Sequence, residues 1–260
     1  MLVSEHHGKA LLRAGGIAVP RGVVARTPEQ AAAAAGELGG VVAIKAQIPA
    51  GKRGKAGGII FAESGEAARR AGELLASSIA GFPVRTLLIE QRVEIARELY
   101  AAVMNDAATK SPLVLFSAEG GIDIEELNVS NPDAILRRVV DIRRGFTAAD
   151  ARLMLAGSTL EEGLRDAVAD VLAKLYRQYR ALDLELLEVN PLAIDRGGRA
   201  WALDCKLSVD DSARSRHPDF VAEAAGAFGP AGTELEQRGR ELGLLYIELD
   251  GQVGVLANGA

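Results

Sequence analysis

Leu184-Glu-Leu-Leu-Glu-Val-Asn-Pro-Leu-Ala-Ile-Asp-Arg-Gly-Gly-Arg-Ala-Trp-Ala-Leu-Asp-Cys-Lys206 is the stretch that indicates the fold most directly. Two runs rich in β-branched, aromatic and leucine residues, near 184–194 and 199–205, flank an Arg-Gly-Gly turn. Glycine supplies the left-handed backbone conformation that a short hairpin loop requires. The sequence therefore predicts a β-hairpin in this segment.

The polar residues of this hairpin alternate with apolar ones, so they share one face. With a three-residue loop, Asn190 lies opposite Asp204. In the same register, Glu188 lies opposite Lys206. A two-residue Gly197-Gly198 turn would shift the pairing by one and leave the same residues diagonal to each other. Either register predicts a polar cluster on one face of the hairpin.

An amide and a carboxylate on one rigid hairpin offer hard oxygen ligands for a cation. Mg²⁺ usually takes one or two protein oxygens and leaves the rest of its coordination to water and phosphate. Asn190 and Asp204 are therefore candidate Mg²⁺ ligands. The alternative is a solvated polar face that carries one salt bridge.

A lysine within an apolar strand marks a second candidate site. The strand Val41–Gln47 contains Lys45, and the basic, glycine-rich loop 51–58 follows it. A buried ammonium is costly unless an anion lies near it, and a glycine-rich loop can bend closely over phosphates. The loop lacks the Gly-Lys-Ser/Thr of a Walker motif. The alternative is a solvated hairpin tip.

Two further acids lie on predicted strands. Glu90 ends the apolar run that begins at Leu87, and Glu98 follows eight residues later. A carboxylate in such a place can accept hydrogen bonds from an adenine amino group or from ribose hydroxyls. The alternative is an acid at a sheet edge that promotes solubility.

Predicted helices and hairpins alternate along the chain and indicate an α+β fold. Capping boxes are expected at Thr27–Gln30 and Thr159–Glu162, and the second precedes a long amphipathic helix. Residues 246–260 predict a strand, an Asp-Gly turn and a second strand.

Composition excludes several classes of function. The 260 residues carry a net charge of −5, which argues against a general affinity for nucleic acid. A single cysteine, Cys205, excludes an internal disulfide and suits a reducing compartment. We see no signal peptide and no apolar run long enough to span a membrane, so we expect a cytoplasmic protein. The three histidines lack metal-ligand spacing and are expected at the surface.

Several short motifs, in this order and spacing, resemble the β subunit of succinate-CoA ligase and its relatives, including malate-CoA ligase. They are Val42–Gln47, Arg53–Gly58, Arg97–Tyr100, Glu119–Gly121, Leu187–Leu192, Leu203–Lys206 and Asn258–Ala260. The resemblance implies an ATP-grasp fold in which two α+β lobes enclose Mg-ATP. It implies an ATP-grasp domain over residues 1–240, with a smaller lobe at about 22–105. Residues 241–260 would begin a C-terminal CoA-ligase domain, truncated after Ala260.

The same resemblance implies roles for individual residues. Lys45 and the loop after it would contact phosphates, Glu90 and Glu98 the nucleoside, and Asn258 a carboxylate substrate. Pro20 lies where ATP-using relatives carry proline, which favours ATP over GTP. The implied nucleotide-binding residues are Lys45, Lys52, Arg53, Gly54, Glu90, Val93 and Glu98. The implied metal ligands are Asn190 and Asp204, and the implied cofactors are Mg²⁺ and ATP.

The family's reaction joins a carboxylate to CoA with cleavage of ATP to ADP and phosphate, through a phosphohistidine on a separate α subunit. The resemblance therefore implies an α-subunit partner, in a heterodimer or heterotetramer, together with CoA and a small dicarboxylate. It implies no catalytic nucleophile in this chain, no nucleic acid and no membrane, and it points to the tricarboxylic acid cycle. The alternatives are a malate-CoA or other carboxylate-CoA ligase, a non-catalytic nucleotide-binding module, or a ligase that joins a carboxylate to an amine.

Overall fold

The computed structural model of the chain describes residues 1–49, 51, 53–224 and 233–258. Its strands are Leu2–Val3 (β1), Gly22–Ala25 (β2), Val41–Ala46 (β3), Ile59–Glu63 (β4), Ser78–Ile79 (β5), Phe82–Pro83 (β6), Leu87–Gln91 (β7), Ile95–Asp106 (β8), Ser111–Ser117 (β9), Ile135–Val139 (β10), Leu184–Asp195 (β11), Ala200–Ala202 (β12) and Lys206–Val209 (β13). Its α-helices are Glu5–Ala14 (α1), Pro28–Leu38 (α2), Ala67–Leu75 (α3), Ile124–Ser130 (α4), Ala148–Leu155 (α5), Glu162–Ala181 (α6), Pro218–Ala224 (α7) and Glu234–Glu241 (α8). Short 3₁₀ segments lie at Ser64–Glu66, Pro132–Ala134 and Asp211–Arg216. None of the described helices is both long and apolar enough to cross a bilayer.

The chain divides into two compact units, Met1–Ala227 and Phe228–Ala260. In the described part of the second unit, α8 is followed by 242–258 without a strand. The predicted hairpin over 246–260 is therefore wrong as far as residue 258, and its last two residues lie outside the described residues. Leu245 and Leu256 are 90% and 97% exposed. A β-strand needs a neighbour for its backbone hydrogen bonds, and the described chain supplies none to this segment.

The small lobe is built on an antiparallel sheet in the order β2-β7-β3-β4, with α2 and α3 packed on one face. Side chains alternate along β3, so Ile44 joins the core beneath the helices and Lys45 points to the opposite face. On β7, Ile89 and Glu90 alternate in the same way. One face of this sheet is therefore apolar core, and the other presents charged groups.

The large lobe is built on a sheet in the order β1-β13-β11-β8-β9-β10, with β12 paired to β11. Helices α1, α5 and α6 contribute to the main core, whereas α4 packs through Leu127 on residues of the opposite sheet face. Strand β8 belongs to this sheet, so the small sheet ends at Gln91 and does not extend to residue 105. The division of the chain at residue 240 stays a prediction.

The hairpin has the predicted three-residue register. Glu188 pairs with Lys206 and Leu192 pairs with Ala202, and Gly198 in the turn has a φ of +82°. The second arm is not one strand, however, because 203–205 leave the ladder between β12 and β13. The pairing of β11 with β8 also shifts between Val189 and Leu192. Backbone and side chains at 203–205 are thus released to contact other elements.

The two predicted capping boxes fare differently: one is absent and the other is half formed. The N-cap of α6 is Glu161 and makes no side-chain capping bond, so the predicted box at Thr159–Glu162 is wrong. Leu160 is buried in the main core, and its packing sets the path of the chain there. A complete capping box starts α5 instead, between Thr147 and Asp150. Thr27 caps α2 with proline in the first turn, but the predicted box is incomplete, because Oε1 of Gln30 accepts from the backbone N–H of Arg26 and not from that of Thr27.

Candidate functional site

Six ionisable side chains from the two lobes meet where the lobes face each other. We call them the ionic cluster. Three are cationic and three are acidic, so the cluster is balanced in charge. Its members are Glu5, Lys9, Lys45, Arg53, Glu90 and Asp204.

Lys45 lies at the centre of the ionic cluster. Its Nζ is 2.7 Å from Oε2 of Glu90 and 3.0 Å from Oε1 of Glu5, and it donates to the carbonyl oxygen of Leu203 at 2.5 Å. Burial alone would lower the pKa of Lys45, but the carboxylates around it raise the pKa above its ordinary value. The anions that a buried ammonium requires are therefore supplied by carboxylates of the chain itself.

Arg53 joins the small lobe to the hairpin of the large lobe. Its Nη1 donates to the carbonyl oxygen of Ala46 at 2.9 Å, and its Nη2 donates to Oδ1 of Asp204 at 2.7 Å. The same Nη2 lies 2.9 Å from Oε2 of Glu5. Burial opposes the charge, but Asp204 and Glu5 outweigh it and raise the pKa of the guanidinium. The loop that was predicted to cover phosphates thus carries a buried arginine.

Glu90 is buried between two lysines. Both of its carboxylate oxygens are 2.6 Å from Nζ of Lys9, which also donates to the carbonyl oxygen of Leu203 at 2.7 Å. No local sequence pattern singled out Lys9. Glu90 was predicted to bind a nucleoside, and that role stays a prediction.

Glu5 was also missed, although it contacts more members of the ionic cluster than any other described acid. Its carboxylate is 2.8 Å from Nζ of Lys9 and accepts a hydrogen bond from Nε2 of Gln47 at 3.2 Å, in addition to its contacts with Lys45 and Arg53. Burial would raise the pKa of Glu5, but the three cations hold it well below its ordinary value. The carboxylate therefore stays ionised near neutral pH.

The spacing of buried residues on α1 places two charged side chains on its inward face. Glu5, Gly8, Lys9 and Leu12 are its buried residues, at helical spacing. A charged pair at i and i+4 usually faces solvent, but here it lies on the inward stripe. Gly8 allows the close approach, since a Cβ there would lie 2.7 Å from Sγ of Cys205.

Asn190 binds a loop of the large lobe. Its Oδ1 accepts a hydrogen bond from the backbone N–H of Gly121 at 2.9 Å, and its Nδ2 donates to the carbonyl oxygen of Ile122 at 2.9 Å. At Gly120 a Cβ would lie 2.2 Å from the carbonyl oxygen of Leu99, so only glycine fits. The Glu-Gly-Gly motif thus allows close packing on β8. Within the described residues no hydrogen bond joins Asn190 to Asp204.

The donor set can be tested against Mg²⁺. Among the described residues no group of three or more His, Cys, Asp and Glu side chains could hold a metal. Mg²⁺ needs only one or two protein oxygens, however. The Asp204 side chain is 28% exposed, and the bonds described for it go to one oxygen, Oδ1, from Arg53 and from the backbone N–H of Cys205. One carboxylate oxygen therefore remains for a cation, and Asn190 Oδ1 has a second lone pair.

Glu188 is a further acid on the hairpin, near Asp204 and Lys206. The hydroxyl group of Tyr100 donates to Oε2 of Glu188 at 3.2 Å. Burial raises the pKa of Glu188, and the charge of Asp204 adds to the effect, whereas Lys206 opposes it. The polar face predicted for the hairpin is therefore real, and it is only partly exposed.

The remaining predicted residues do not join the ionic cluster. Glu98 is half-buried, burial raises its pKa, and its carboxylate makes no hydrogen bond or ion pair among the described residues. Val93 is partly buried between β7 and β8, and Gly54 is exposed in the loop after β3. Lys52 lies outside the described residues. Asn258 is exposed in the second unit.

A cavity of about 190 Å³ adjoins the ionic cluster. It is lined by His6, Lys9, Arg13, Pro20, Gly22, Val24, Leu88 and Glu90. His6 and His7 are half-buried and both contact the hydroxyl group of Ser4, and His217 pairs with Asp183 at 2.8 Å. All three histidines are therefore only partly exposed, so the expectation of surface positions holds in part.

Sequence comparison decides the family. Residues 2–194, which run from β1 almost to the end of β11, match the ATP-grasp domain family. The chain belongs to the ATP-grasp family. The predicted α+β, ATP-grasp fold is confirmed. The cross-lobe ionic cluster thus lies between the two lobes of an ATP-grasp domain.

Succinate-CoA ligase β subunits are among the relatives that this chain resembles in sequence, as the motifs indicated. This ATP-grasp chain is 44% identical over 257 residues to the ADP-forming β subunit of Rubrobacter xylanophilus, covering 98% of the chain and 66% of that protein. It is 40% identical over 261 residues to the GDP-forming β subunit of Thermus thermophilus, covering 100% of the chain and 68% of that protein. The chain therefore spans about two thirds of the length of these relatives.

Solved structures support the fold. The ATP citrate lyase of Methanothrix soehngenii, in complex with citrate and coenzyme A, superposes with a TM-score of 0.70 at 22% identity, over 93% of this chain and 59% of that chain. An acetyl-coenzyme A synthetase of Ca. Korarchaeum cryptofilum gives a TM-score of 0.64 at 19% identity, over 80% of this chain and 93% of that chain. At these identities the likeness concerns the ATP-grasp fold alone.

Proposed function

We propose that this chain is the nucleotide-binding part of the β subunit of an ADP-forming acid-CoA ligase of the succinate-CoA ligase type. One observation carries the proposal. In an ATP-grasp chain 40–44% identical to such β subunits, Lys45, Arg53 and Asp204 converge from two lobes on one cluster. Cations and a carboxylate at such a junction are the groups that Mg-ATP requires.

The triphosphate would lie against Lys45, Lys52, Arg53 and the backbone of Gly54. Lys45 and Arg53 are already fixed by carboxylates, so little further ordering is needed when phosphate arrives. Charge neutralisation and positioning supply most of the catalysis in phosphoryl transfer, and no nucleophile from this chain is required. The chain's role would therefore be to orient the γ-phosphoryl group.

Asp204 and Asn190 would hold Mg²⁺. The metal, when bound, neutralises charge on the phosphate oxygens. Binding at the second oxygen of Asp204 would weaken the ion pair with Arg53, whose Nη2 now contacts Oδ1 at 2.7 Å. We infer that the guanidinium then turns to phosphate, so that metal and nucleotide each bind one half of an existing ion pair.

The nucleoside would occupy the region of the cavity beside the small sheet, with Glu90, Val93 and Glu98 around it. Glu98 supports this assignment because it is half-buried, with a raised pKa, and can accept hydrogen bonds from ribose hydroxyls. The relatives include ADP-forming and GDP-forming β subunits, so they do not decide the base. Pro20, which lines the cavity, favours ATP.

The partners follow from the relatives. We propose an α subunit that carries the phosphohistidine, with CoA and a small dicarboxylate as substrates and Asn258 as a contact to the acid. Residues 1–240 would form the ATP-grasp domain, and 241–260 would begin a CoA-ligase domain. A cytoplasmic location, a role in the tricarboxylic acid cycle, and malate or another carboxylate as the acid belong to the same proposal.

Phosphoryl transfer to a partner tests this function. The chain is mixed with the α subunit of the Rubrobacter xylanophilus ligase, Mg²⁺ and γ-³²P-labelled ATP, and the α subunit is examined for acid-labile, base-stable label. We expect labelled α subunit only when both chains are present, and much less with Asp204→Asn. ATP binding without transfer would contradict the ligase role and favour a nucleotide-binding module. Absence of ATP binding would contradict both.

A further inference from the structure

We propose that Glu5, in the first turn of α1, is the positioning residue that keeps Lys45 and Arg53 aimed at the triphosphate. The inference rests on the proposed function, because it concerns the cations assigned there to phosphate. Glu5 would not touch the nucleotide. It would act through the two side chains that do.

The contacts of Glu5 lead to this role. Its Oε1 lies 3.0 Å from Nζ of Lys45, and its Oε2 lies 2.9 Å from Nη2 of Arg53. Among the described residues, no other side chain contacts both cations. Gln47 donates to the same Oε2 at 3.2 Å and so fixes the plane of the carboxylate. Glu5 therefore sets the separation and the direction of the two cations relative to each other.

Burial separates Glu5 from the other acids of the ionic cluster. Its side chain is 1% exposed, whereas that of Asp204 is 28% exposed. Asp204 can leave Arg53 to bind a cation, and Glu90 is assigned to the nucleoside end. Glu5 has no route to a ligand. When the other two carboxylates turn to Mg-ATP, Glu5 and the carbonyl oxygen of Ala46 are the contacts that still hold Arg53.

The stability of the fold alone does not explain why Glu5 and its cationic partners are charged. A buried ion pair is often no more stabilising than well-packed apolar side chains of similar volume. Here the acid lies on a large-lobe helix, and three of its partners, Lys45, Gln47 and Arg53, lie on the small lobe. An acid in this place orients cations across the junction, which apolar packing cannot do.

The test separates phosphate binding from folding. Titration calorimetry and NMR titration give the Kd of Mg-ATP and of AMP for the wild-type chain and for Glu5→Gln, which keeps the shape and removes the charge. We expect the Kd of Mg-ATP to rise about 10- to 100-fold, because charge-assisted bonds to both cations are lost. We expect the Kd of AMP to change less than threefold, so that the Kd of Mg-ATP divided by the Kd of AMP rises.

Glu5→Gln leaves an excess of buried positive charge and could fold poorly. A second variant, Glu5→Gln with Lys9→Met, removes one charge of each sign and restores the balance of the cluster. It is expected to show the same loss of Mg-ATP affinity. Glu5→Asp, which keeps the charge, is expected to recover part of the affinity. Thermal unfolding of each variant gives the folded fraction.

The outcomes are distinct. An unchanged Kd for Mg-ATP in a folded Glu5 variant overturns the positioning role while leaving the proposed function intact. Equal weakening of Mg-ATP and AMP also overturns it, because a purely structural loss affects the whole nucleotide. A wild-type chain that binds no ATP overturns the proposed function and this inference with it.

Discussion

The guanidinium Nη2 of Arg53 lies 2.7 Å from Oδ1 of Asp204, and this ion pair joins the loop after β3 to the hairpin of the large lobe. The two residues are 151 positions apart in the chain. In the proposed function one of them binds phosphate and the other binds Mg²⁺. In that proposal, their ion pair would couple the two binding events.

A double-mutant cycle on this ion pair is expected to show strong coupling. Arg53→Gln, Asp204→Asn and the double variant are compared by urea unfolding without nucleotide. We expect a coupling energy of about 1–3 kcal/mol, because each single variant leaves a partly buried charged partner without its bond. Additivity of the two single effects within about 0.5 kcal/mol would contradict a direct contact.

Lys9 is expected to matter for stability far more than a surface lysine. Its removal in Lys9→Met leaves Glu5 and Glu90 buried with too few cations. We expect a loss of about 3–5 kcal/mol in the free energy of unfolding. Lys55→Met is the matched control, since Lys55 is 65% exposed and lies 3.8 Å from Glu126. That control should lose less than about 1 kcal/mol, and similar losses in both variants would argue against the buried cluster.

Two glycine-to-alanine changes are expected to have opposite signs. At Gly120 a Cβ would lie 2.2 Å from a backbone oxygen, so Gly120→Ala should lower the free energy of unfolding by about 1–3 kcal/mol. At Gly36, in α2, a Cβ would meet nothing within 4 Å, so Gly36→Ala should raise it by about 0.5–1 kcal/mol. Chemical denaturation measures both. A neutral Gly120→Ala would contradict the close packing of this loop on β8.

His7 gives stability a specific pH dependence. Burial, with a contribution from His6, lowers the pKa of His7 from 6.5 to about 4. Between these values the unfolded chain binds more protons than the folded chain, so stability is complete above pH 6.5 and falls as the pH drops towards 4. Urea midpoints at pH 7 and pH 5 should therefore differ less for His7→Gln than for the wild-type chain. Because His7 is partly exposed, solvent reduces the loss of stability. An equal change in urea midpoint between pH 7 and pH 5 in both proteins would contradict the lowered pKa of His7.

The hairpin shows what a local pattern can predict. The three-residue Arg196–Gly198 loop, one of two turns that the sequence allowed, places Glu188 opposite Lys206, and the structure has this pairing. Strand pairing across a short turn depends on adjacent residues, so the sequence contains the information. The break at 203–205 depends on Lys9 and Lys45, which are distant in sequence, and no local pattern indicated it.

The ionic cluster shows where such patterns fail. Lys45 was singled out because a lysine in an apolar strand is unusual, and Arg53 and Asp204 followed from motifs. Glu5 and Lys9 form an ordinary i, i+4 pair, which on most helices faces solvent. The pair faces inward only because α1 packs against the hairpin. The spacing of residues along a helix does not predict which distant element will pack on it.

Magnesium-dependent binding of ATP tests the central claim most directly. Calorimetric titrations with ATP, with and without Mg²⁺, are compared for the wild-type chain, for Asp204→Ala and for Glu185→Gln, an exposed acid on the same hairpin. The account predicts that the wild-type chain and Glu185→Gln bind ATP more tightly with Mg²⁺, and that Asp204→Ala loses this dependence. Equal affinity and equal magnesium dependence in all three proteins would contradict it.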